Sequence, residues 1–516
     1  MEKTLQPNDI HNQTLVQHVH PQNWKNKAPS LPYHLVVIGA GTAGLVTAAG
    51  AAGLGARVAL VERNLMGGDC LNFGCVPSKA LIASGRIVRT LNAASEWGIT
   101  TSATSAAANF GDVMQRMRRL RAEISPHDSA ERFAALGVDV FLGNASFRNE
   151  RTIQVESDQH GSATLSFRKA VIATGARAAI PAIPGIQDVP FLTNENLFEL
   201  TNRPDHLAII GGGPIGCEMA QAFSQLGTKV TLFQRSERIL PKDDIDAANV
   251  VLRRMETGGI QVRLRCPIDR VALSDSGRIR LHVSAASQDS VCEASHLLVA
   301  TGRTPNLNGL NLEAAGVAYS AAGVTVDAYA RTTNHRIFAA GDVSSSWQFT
   351  HAADFQARAV IQNALFAIGP LGRKRTDRLL IPRTTYTSPE LASVGLSTED
   401  AQTQGISHVV LQQDFSGVDR AILDGDTDGF VKVILDRKSG QILGATVVAA
   451  DAGNLISELT LAMQNKVTIA QIGNTIHPYP TTADAIRKLG DQWNRMRLTP
   501  QNQRLLSLLL RWNVGR

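Results

Sequence analysis

Cysteine is scarce in this chain: its 516 residues include only five. A count that low and odd excludes a structural disulfide framework. Aromatic residues are also few, at 5%, and charged residues make up 19%. No run of about 18 apolar residues occurs, so no membrane span is expected. The first 32 residues are polar and carry Pro and His. They lack the basic start and apolar stretch of a secretory signal, so a polar N-terminal tail and a cytoplasmic location are expected. The formal net charge of +6 comes with no nucleic-acid motif, and no nucleic-acid partner is expected. The densest basic run, Arg116, Arg118, Arg119 and Arg121, reads as a solvated helix face.

Glycine, by contrast, is plentiful at 43 residues, and its placement is informative. The segment HLVVIGAGTAG (34–44) joins a short apolar run, Leu35 to Ile38, to Gly39, Gly41 and Gly44. An Ala-rich helical stretch follows, then a strand from Arg57 to Val61 that ends at Glu62, 18 positions after Gly44. Strand, glycines, helix, strand and acid together predict a dinucleotide site. The glycines let backbone approach a pyrophosphate at a helix N-terminus, and the acid accepts from a ribose diol.

The pattern recurs at HLAIIGGGPIG (206–216), with Gly211, Gly213 and Gly216. Here the position 18 beyond the third glycine holds Gln234, followed by Arg235 and, nearby, Arg238. An acid would repel a 2′-phosphate, so its absence beside arginines favours NADPH over NADH. The first fold is therefore assigned to a flavin dinucleotide and the second to NADPH. Ala173-Thr174-Gly175 and Ala300-Thr301-Gly302 each read as a strand-end turn where the chain crosses between domains. A further strand ends at Gly341-Asp342, whose carboxylate would accept bonds from a ribityl chain.

The most specific segment is GGDCLNFGCVPSK (67–79), which holds Cys70 and Cys75. A five-residue offset brings two alpha carbons within disulfide reach only where the chain bends, and Gly74 permits a bend. Pro77 suits a first helical turn, so Cys75 is expected near a helix N-terminus that favours a thiolate. Lys79, one turn on, adds positive charge. Zinc pairs enclose two to four residues and come with a second pair, which is not found, so no metal site is expected. Cys217, Cys266 and Cys292 read as buried small hydrophobes.

Together these residues resemble the FAD-dependent class I pyridine nucleotide–disulfide oxidoreductases, from about residue 33 to about residue 495. That family includes dihydrolipoamide dehydrogenase, glutathione reductase and mercuric reductase. The segment YTSPELASVGL (386–396) is similar to the entry of the family's dimerisation domain. The resemblance implies an α/β chain: two Rossmann-like dinucleotide-binding domains, for FAD and NADPH, and a C-terminal α+β dimerisation domain. The expected layout is a tail at 1–32, an FAD domain at 33–190 and 304–380, and an NAD(P)H domain at 191–303. A dimerisation domain at 381–490 and a basic amphipathic extension at 491–516 complete it.

It further implies an obligate homodimer, with Cys75 as the thiol next to the flavin and Cys70 as the one that attacks substrate. Lys79 and Glu218 resemble the ion pair beside flavin and nicotinamide. Arg63, Gly68 and Asp69 join Glu62, Lys79 and the glycines as FAD-binding positions. Pro214 stands where many relatives carry a flavin-shielding Tyr.

Near the C-terminus the pattern departs. Relatives carry His-Pro-Thr with an acid five residues after the His, and this dyad shuttles the substrate thiol's proton. Here the segment is HPYPTTAD (477–484), which puts Tyr479 in the His place and Asp484 in the acid place. A Tyr pKa near 10 makes a poor shuttle at neutral pH, and His477, two residues away, is the alternative. Mercuric reductases are the relatives with a Tyr here, and the QRSER string (234–238) resembles theirs.

Their C-terminal cysteine pair and N-terminal metal-binding domain are missing. Hg(II) wants thiolates, so the inner pair alone would bind it tightly and turn it over poorly. The expected activity is thus NADPH-dependent reduction of a small disulfide or soft metal ion. Dihydrolipoamide dehydrogenase or glutathione-reductase activity is one alternative, and a flavoprotein electron donor to a protein or membrane partner is another. Leu505 to Leu510 among Arg495, Arg497, Arg504 and Arg511 are expected to pack onto their own subunit, with a membrane surface as the second reading.

Overall fold

The computed structural model describes residues 5–29, 31–100, 107–285 and 288–515, with backbone only at 285, 288 and 289. Two units result: Met1–Arg235 with Cys266–Leu379, and Ser236–Arg265 with Leu380–Arg516. Residues 236–265, read from sequence as part of a nucleotide domain, thus group with the C-terminal unit.

In the first unit, β1 (Tyr33–Ile38), β2 (Val58–Glu62) and β3 (Val138–Leu142) are apolar runs buried almost throughout. Parallel strands covered on both faces require such sequences. β1 lies between β2 and the end of β6 (Ala163–Ile172), and β2 pairs with β3. Ile337–Ala339 runs parallel on the far side of β6. β4 (Asn144–Asn149) and β5 (Thr152–Glu156) extend β6 as an antiparallel meander. Helix α2 (Thr42–Gly53) follows β1. The second parallel set is β7 (His206–Ile210) between β8 (Lys229–Phe233) and His296–Val299, with α6 (Pro214–Gln225) after β7.

The segment read as a polar tail contains a helix, α1 (Ile10–Val19), capped by the Asp9 carboxylate on Asn12 N–H at 2.9 Å. Leu15 and Val19 are fully buried in the core that holds Leu35, Leu60 and Phe133. Burying each is worth about 1.5–3 kcal/mol.

The basic run lies on α5 (Phe110–Ile124), and the solvated-face reading needs correction there: Arg118 and Arg121 are buried. Arg118 pairs with Asp9 at 2.5 Å. Arg121 donates to Asn12 Oδ1 at 2.6 Å and to the Asn72 carbonyl at 2.7 Å. These acceptors come from α1 and from the loop at 67–75, so charge density along α5 could not reveal them. Arg118 is compensated by an ion pair, and Arg121 by hydrogen bonds to neutral acceptors, with burial drawing its pKa down to about 10.

The second unit is built on an antiparallel sheet. Glu390–Gly395 pairs with Arg383–Thr385 and Ile442–Ala449, which continues to Phe430–Asp436 and His408–Asp414. Ala452–Gln464 and α8 (Asp484–Met496) cover it, the latter burying Ile486, Leu489 and Trp493. The chain ends in α9 (Pro500–Val514), which is exposed along its whole length and does not pack onto its own subunit as expected. Among the described residues no helix is long and apolar enough to cross a membrane.

Candidate active site

The first glycine turn is built by contact between backbones. A Cβ on Gly44 would sit 1.8 Å from the Gly39 carbonyl oxygen, so only glycine lets α2 close on β1. Gly41 precedes α2 with no side-chain cap, leaving the helix N–H groups to a ligand. Glu62, at the end of β2, accepts from Ala40 N–H at 2.6 Å and Asn64 N–H at 2.8 Å. Each carboxylate oxygen keeps a lone pair for a hydroxyl donor. Arg63 is exposed.

The second turn repeats this design. Gly211 and Gly216 make the same close approach, and Gly213 precedes α6 without a side-chain cap. Gln234 Oε1 accepts from Gly212 N–H at 3.2 Å, 22 positions back, the offset by which Glu62 binds Ala40. Gln234 therefore occupies the carboxylate's place with a neutral amide. Arg235 beside it is exposed. Arg238 belongs to the second unit, where it donates to the Pro241 carbonyl at 3.0 Å and pairs with Glu399 at 3.5 Å. The two crossover turns meet: Thr174 Oγ1 donates to the Asn306 carbonyl at 2.8 Å, and Ala179 N–H reaches the Gly302 carbonyl. Gly175 accepts from Asn306 N–H. Both glycine cradles fit a dinucleotide.

Cys70 sits in the short helix α3 (Gly68–Asn72), and Cys75 is the first residue of α4 (Cys75–Asn92). Gly68 has φ +57°, and a Cβ on it would lie 2.6 Å from Gly41 Cα, so the cysteine loop rests directly on the first glycine turn. Gly74 permits the bend through space rather than through a left-handed φ: a Cβ there would meet the Asp69 carbonyl at 2.9 Å. Arg121 holds the Asn72 carbonyl at the end of α3.

The two thiols are unequal. Cys75 is drawn down to about 6, first by the hydrogen bond from the Cys70 thiol. Desolvation opposes this, while the Thr350 hydroxyl (3.5 Å) and the Lys79 charge assist. Cys70 is pushed up, chiefly because it donates to Cys75 and is itself desolvated. Lys79 on α4 pairs with Glu218 on α6 at 2.8 Å, and the Glu218 side chain is buried.

Sequence reasoning missed the groups that hold this loop. Asp69 accepts from Asn194 Nδ2 at 2.7 Å and from Arg303 at 3.1 Å. Arg303 also reaches Asp342 at 3.2 Å. Burial raises the Asp342 carboxyl, against the Arg303 charge. Arg303 follows the Gly302 turn directly, and that adjacency was the available signal.

The second unit carries its own titratable pairs. His477 meets the Glu458 carboxylate at 2.9 Å and the Thr475 carbonyl at 2.9 Å. Both neighbours only accept, which suits a doubly protonated ring. Burial works against that charge, but the Glu458 and Thr475 contacts outweigh it and raise the His477 pKa. Tyr479 does not pair with Asp484: its hydroxyl donates to Asp419 at 2.9 Å, which raises its pKa. Asp484 is instead held by Arg487 at 2.7 Å and Lys488 at 3.3 Å.

The same residues bear on comparison with known proteins. Residues 33–357 match the model of the pyridine nucleotide-disulphide oxidoreductases, and 381–489 match that family's dimerisation domain. Mercuric reductase of Bacillus cereus is 34% identical over 463 residues, 90% of this chain and 72% of that one. Dihydrolipoyl dehydrogenase of Chlamydia muridarum is 34% identical over 461 residues, 88% of this chain and 95% of that one. The Cu(II) complex of the HOCl-induced flavoprotein disulfide reductase RclA from Escherichia coli superimposes with a TM-score of 0.79 at 28% identity, covering 90% of this chain and 100% of that one. An uncapped glycine turn, a cysteine pair seated on it and a C-terminal dimerisation domain thus occur in one chain, which belongs to the FAD-dependent pyridine nucleotide-disulphide oxidoreductase family.

Proposed function

We propose that this enzyme uses NADPH to reduce the Cys70–Cys75 disulfide, and that the electrons pass on to a small disulfide through the dithiol or, as the likeness to mercuric reductases suggests, to a soft metal ion held by the two thiolates. FAD, when bound, supplies two-electron transfer between nicotinamide and disulfide. Gly39, Gly41, Gly44, Glu62 and Asp342 would hold it, and Gly211, Gly213, Gly216 and Gln234 would hold NADPH. The observation that carries the reading is the unequal thiol pair. Cys75, with Thr350 and Lys79 beside it, keeps the thiolate, and Cys70 keeps its proton until substrate arrives. Attack by Cys70 on a substrate disulfide forms a mixed disulfide and expels a substrate thiolate. Cys75 then displaces Cys70's partner, which closes the internal disulfide and releases the second thiol. The dimerisation domain supports a homodimer.

Steady-state rates with NADPH and NADH, against Hg(II), glutathione disulfide and lipoamide, test the assignment. NADPH is expected to win by about tenfold or more in kcat/KM, and Gln234→Glu to reverse much of that by repelling the 2′-phosphate. A wild-type preference for NADH would overturn the cofactor assignment. Activity with lipoamide alone would favour dihydrolipoamide dehydrogenase.

We assign protonation of the departing substrate thiolate to His477, oriented by Glu458. Against burial, the Glu458 and Thr475 contacts raise the His477 pKa, whereas the bond to Asp419 moves Tyr479 further from neutrality. His477→Ala should lower kcat by roughly 10²–10⁴ and remove one limb of its pH profile. Tyr479→Phe should cost far less, and the opposite ranking would transfer the role to Tyr479.

A further inference from the structure

Beyond the redox site, the least explained feature is α9. Its formation follows from sequence: Thr499 caps it by accepting from Asn502 N–H, and Pro500 opens the first turn. Leu505, Leu508, Leu509 and Trp512 fall at i, i+3, i+4 and i+7, one continuous apolar face, which Leu506 and Leu510 widen. Arg504, Ser507 and Arg511 fall at i, i+3 and i+7 on the opposite face. Every one of these apolar residues is exposed, Trp512 at 83%. An isolated helix of 15 residues is marginal in water, and an uncovered face of this composition marks a docking surface.

Charge identifies the occupant. From Gln492 to Gly515 there is no acidic residue, while Arg495, Arg497, Arg504 and Arg511 are all present and exposed. The whole chain carries a net +6, so a second copy offers a basic helix little electrostatic attraction. An anionic lipid surface offers both complements: acyl chains for the leucine and tryptophan face, and phosphates for the arginines. We propose that α9 lies in the interface of an anionic bilayer and holds the reductase at a membrane surface without spanning it.

The experiment is sedimentation of the full-length flavoenzyme with phosphatidylcholine vesicles, with and without phosphatidylglycerol. Binding is expected on the anionic vesicles, weakened at high salt as screening requires. Arg504→Glu/Arg511→Glu and, separately, Leu508→Glu/Leu509→Glu should each reduce binding by about tenfold or more, since each basic residue and each buried apolar group contributes. Removal of 499–516 should abolish it. All three changes lie outside the redox machinery, so NADPH oxidation should persist and certify the fold. Absence of vesicle binding by the intact enzyme, or binding that survives truncation, would overturn the proposal. So would a loss of dimer in the leucine variant without vesicle binding, because α9 would then cover a second copy.

Discussion

Cys75→Ser enzyme is expected to lose disulfide-reductase turnover by roughly 10⁴-fold or more, because no second sulfur remains to close the internal disulfide. Cys70→Ser should be equally inactive, yet its remaining thiol should behave differently from that of Cys70→Ala. Cys75 is drawn to about 6 first by the hydrogen bond that Cys70 donates. A serine hydroxyl can replace that donor, and alanine cannot. A hydrogen bond to a charged group is worth about 1.5–3 kcal/mol, or roughly one to two units of pKa. The pH dependence of Cys75 alkylation should therefore keep its low midpoint in Cys70→Ser and move upward in Cys70→Ala. Equal midpoints in the two variants would mean that Thr350 and Lys79 alone hold the thiolate. The thiolate is the reactive form, so alkylation should quicken as pH rises through the midpoint.

Arg303→Met is expected to destabilise the first unit by about 3 kcal/mol, toward the lower end for a broken buried ion pair because Asp69 keeps some solvent contact. The methionine fills the space but leaves Asp69 and Asp342 without their shared cation. The pH dependence distinguishes this from lost packing. Asp342 already has a folded pKa above its unfolded one, so the folded state holds the extra proton between those two values. Stability then falls as pH rises through that window, and removing Arg303 widens it. The deficit in thermal melting should be larger at pH 8 than at pH 5, and Asp342→Asn in the same chain should recover part of it. A deficit independent of pH would make Arg303 a packing residue only. Asp69 is itself part of the cysteine loop, so weaker flavin retention should accompany the lower melting point.

The cysteine prediction uses residues that illustrate what could be read in one dimension. The two glycine turns, the acid at 62 and its amide counterpart at 234 follow from spacing. A strand, a turn and a helix within about 30 residues are local objects, and the backbone demands glycine where they close. The cysteine pair was equally legible, since both sulfurs belong to a single bend of the chain between α3 and α4.

The partners were not legible. Thr350 reaches Cys75 across 275 positions, Arg303 reaches Asp69 across 234, and Asn194 reaches it across 125. Side-chain hydrogen bonds of that kind leave no periodic trace. For the same reason the acid beside His477 is Glu458, from a preceding helix, and Asp484 is occupied by Arg487 and Lys488. Arg118 and Arg121 looked like surface charge until α1 and the Asn72 carbonyl supplied their acceptors. The sequence by itself determined where the glycine turns and the paired sulfurs lie, because those features are made of contiguous backbone. Tertiary structure alone decided which charges are buried, which hydroxyl meets the Cys75 sulfur and which face of the last helix is left uncovered, because those properties depend on groups that only folding brings together.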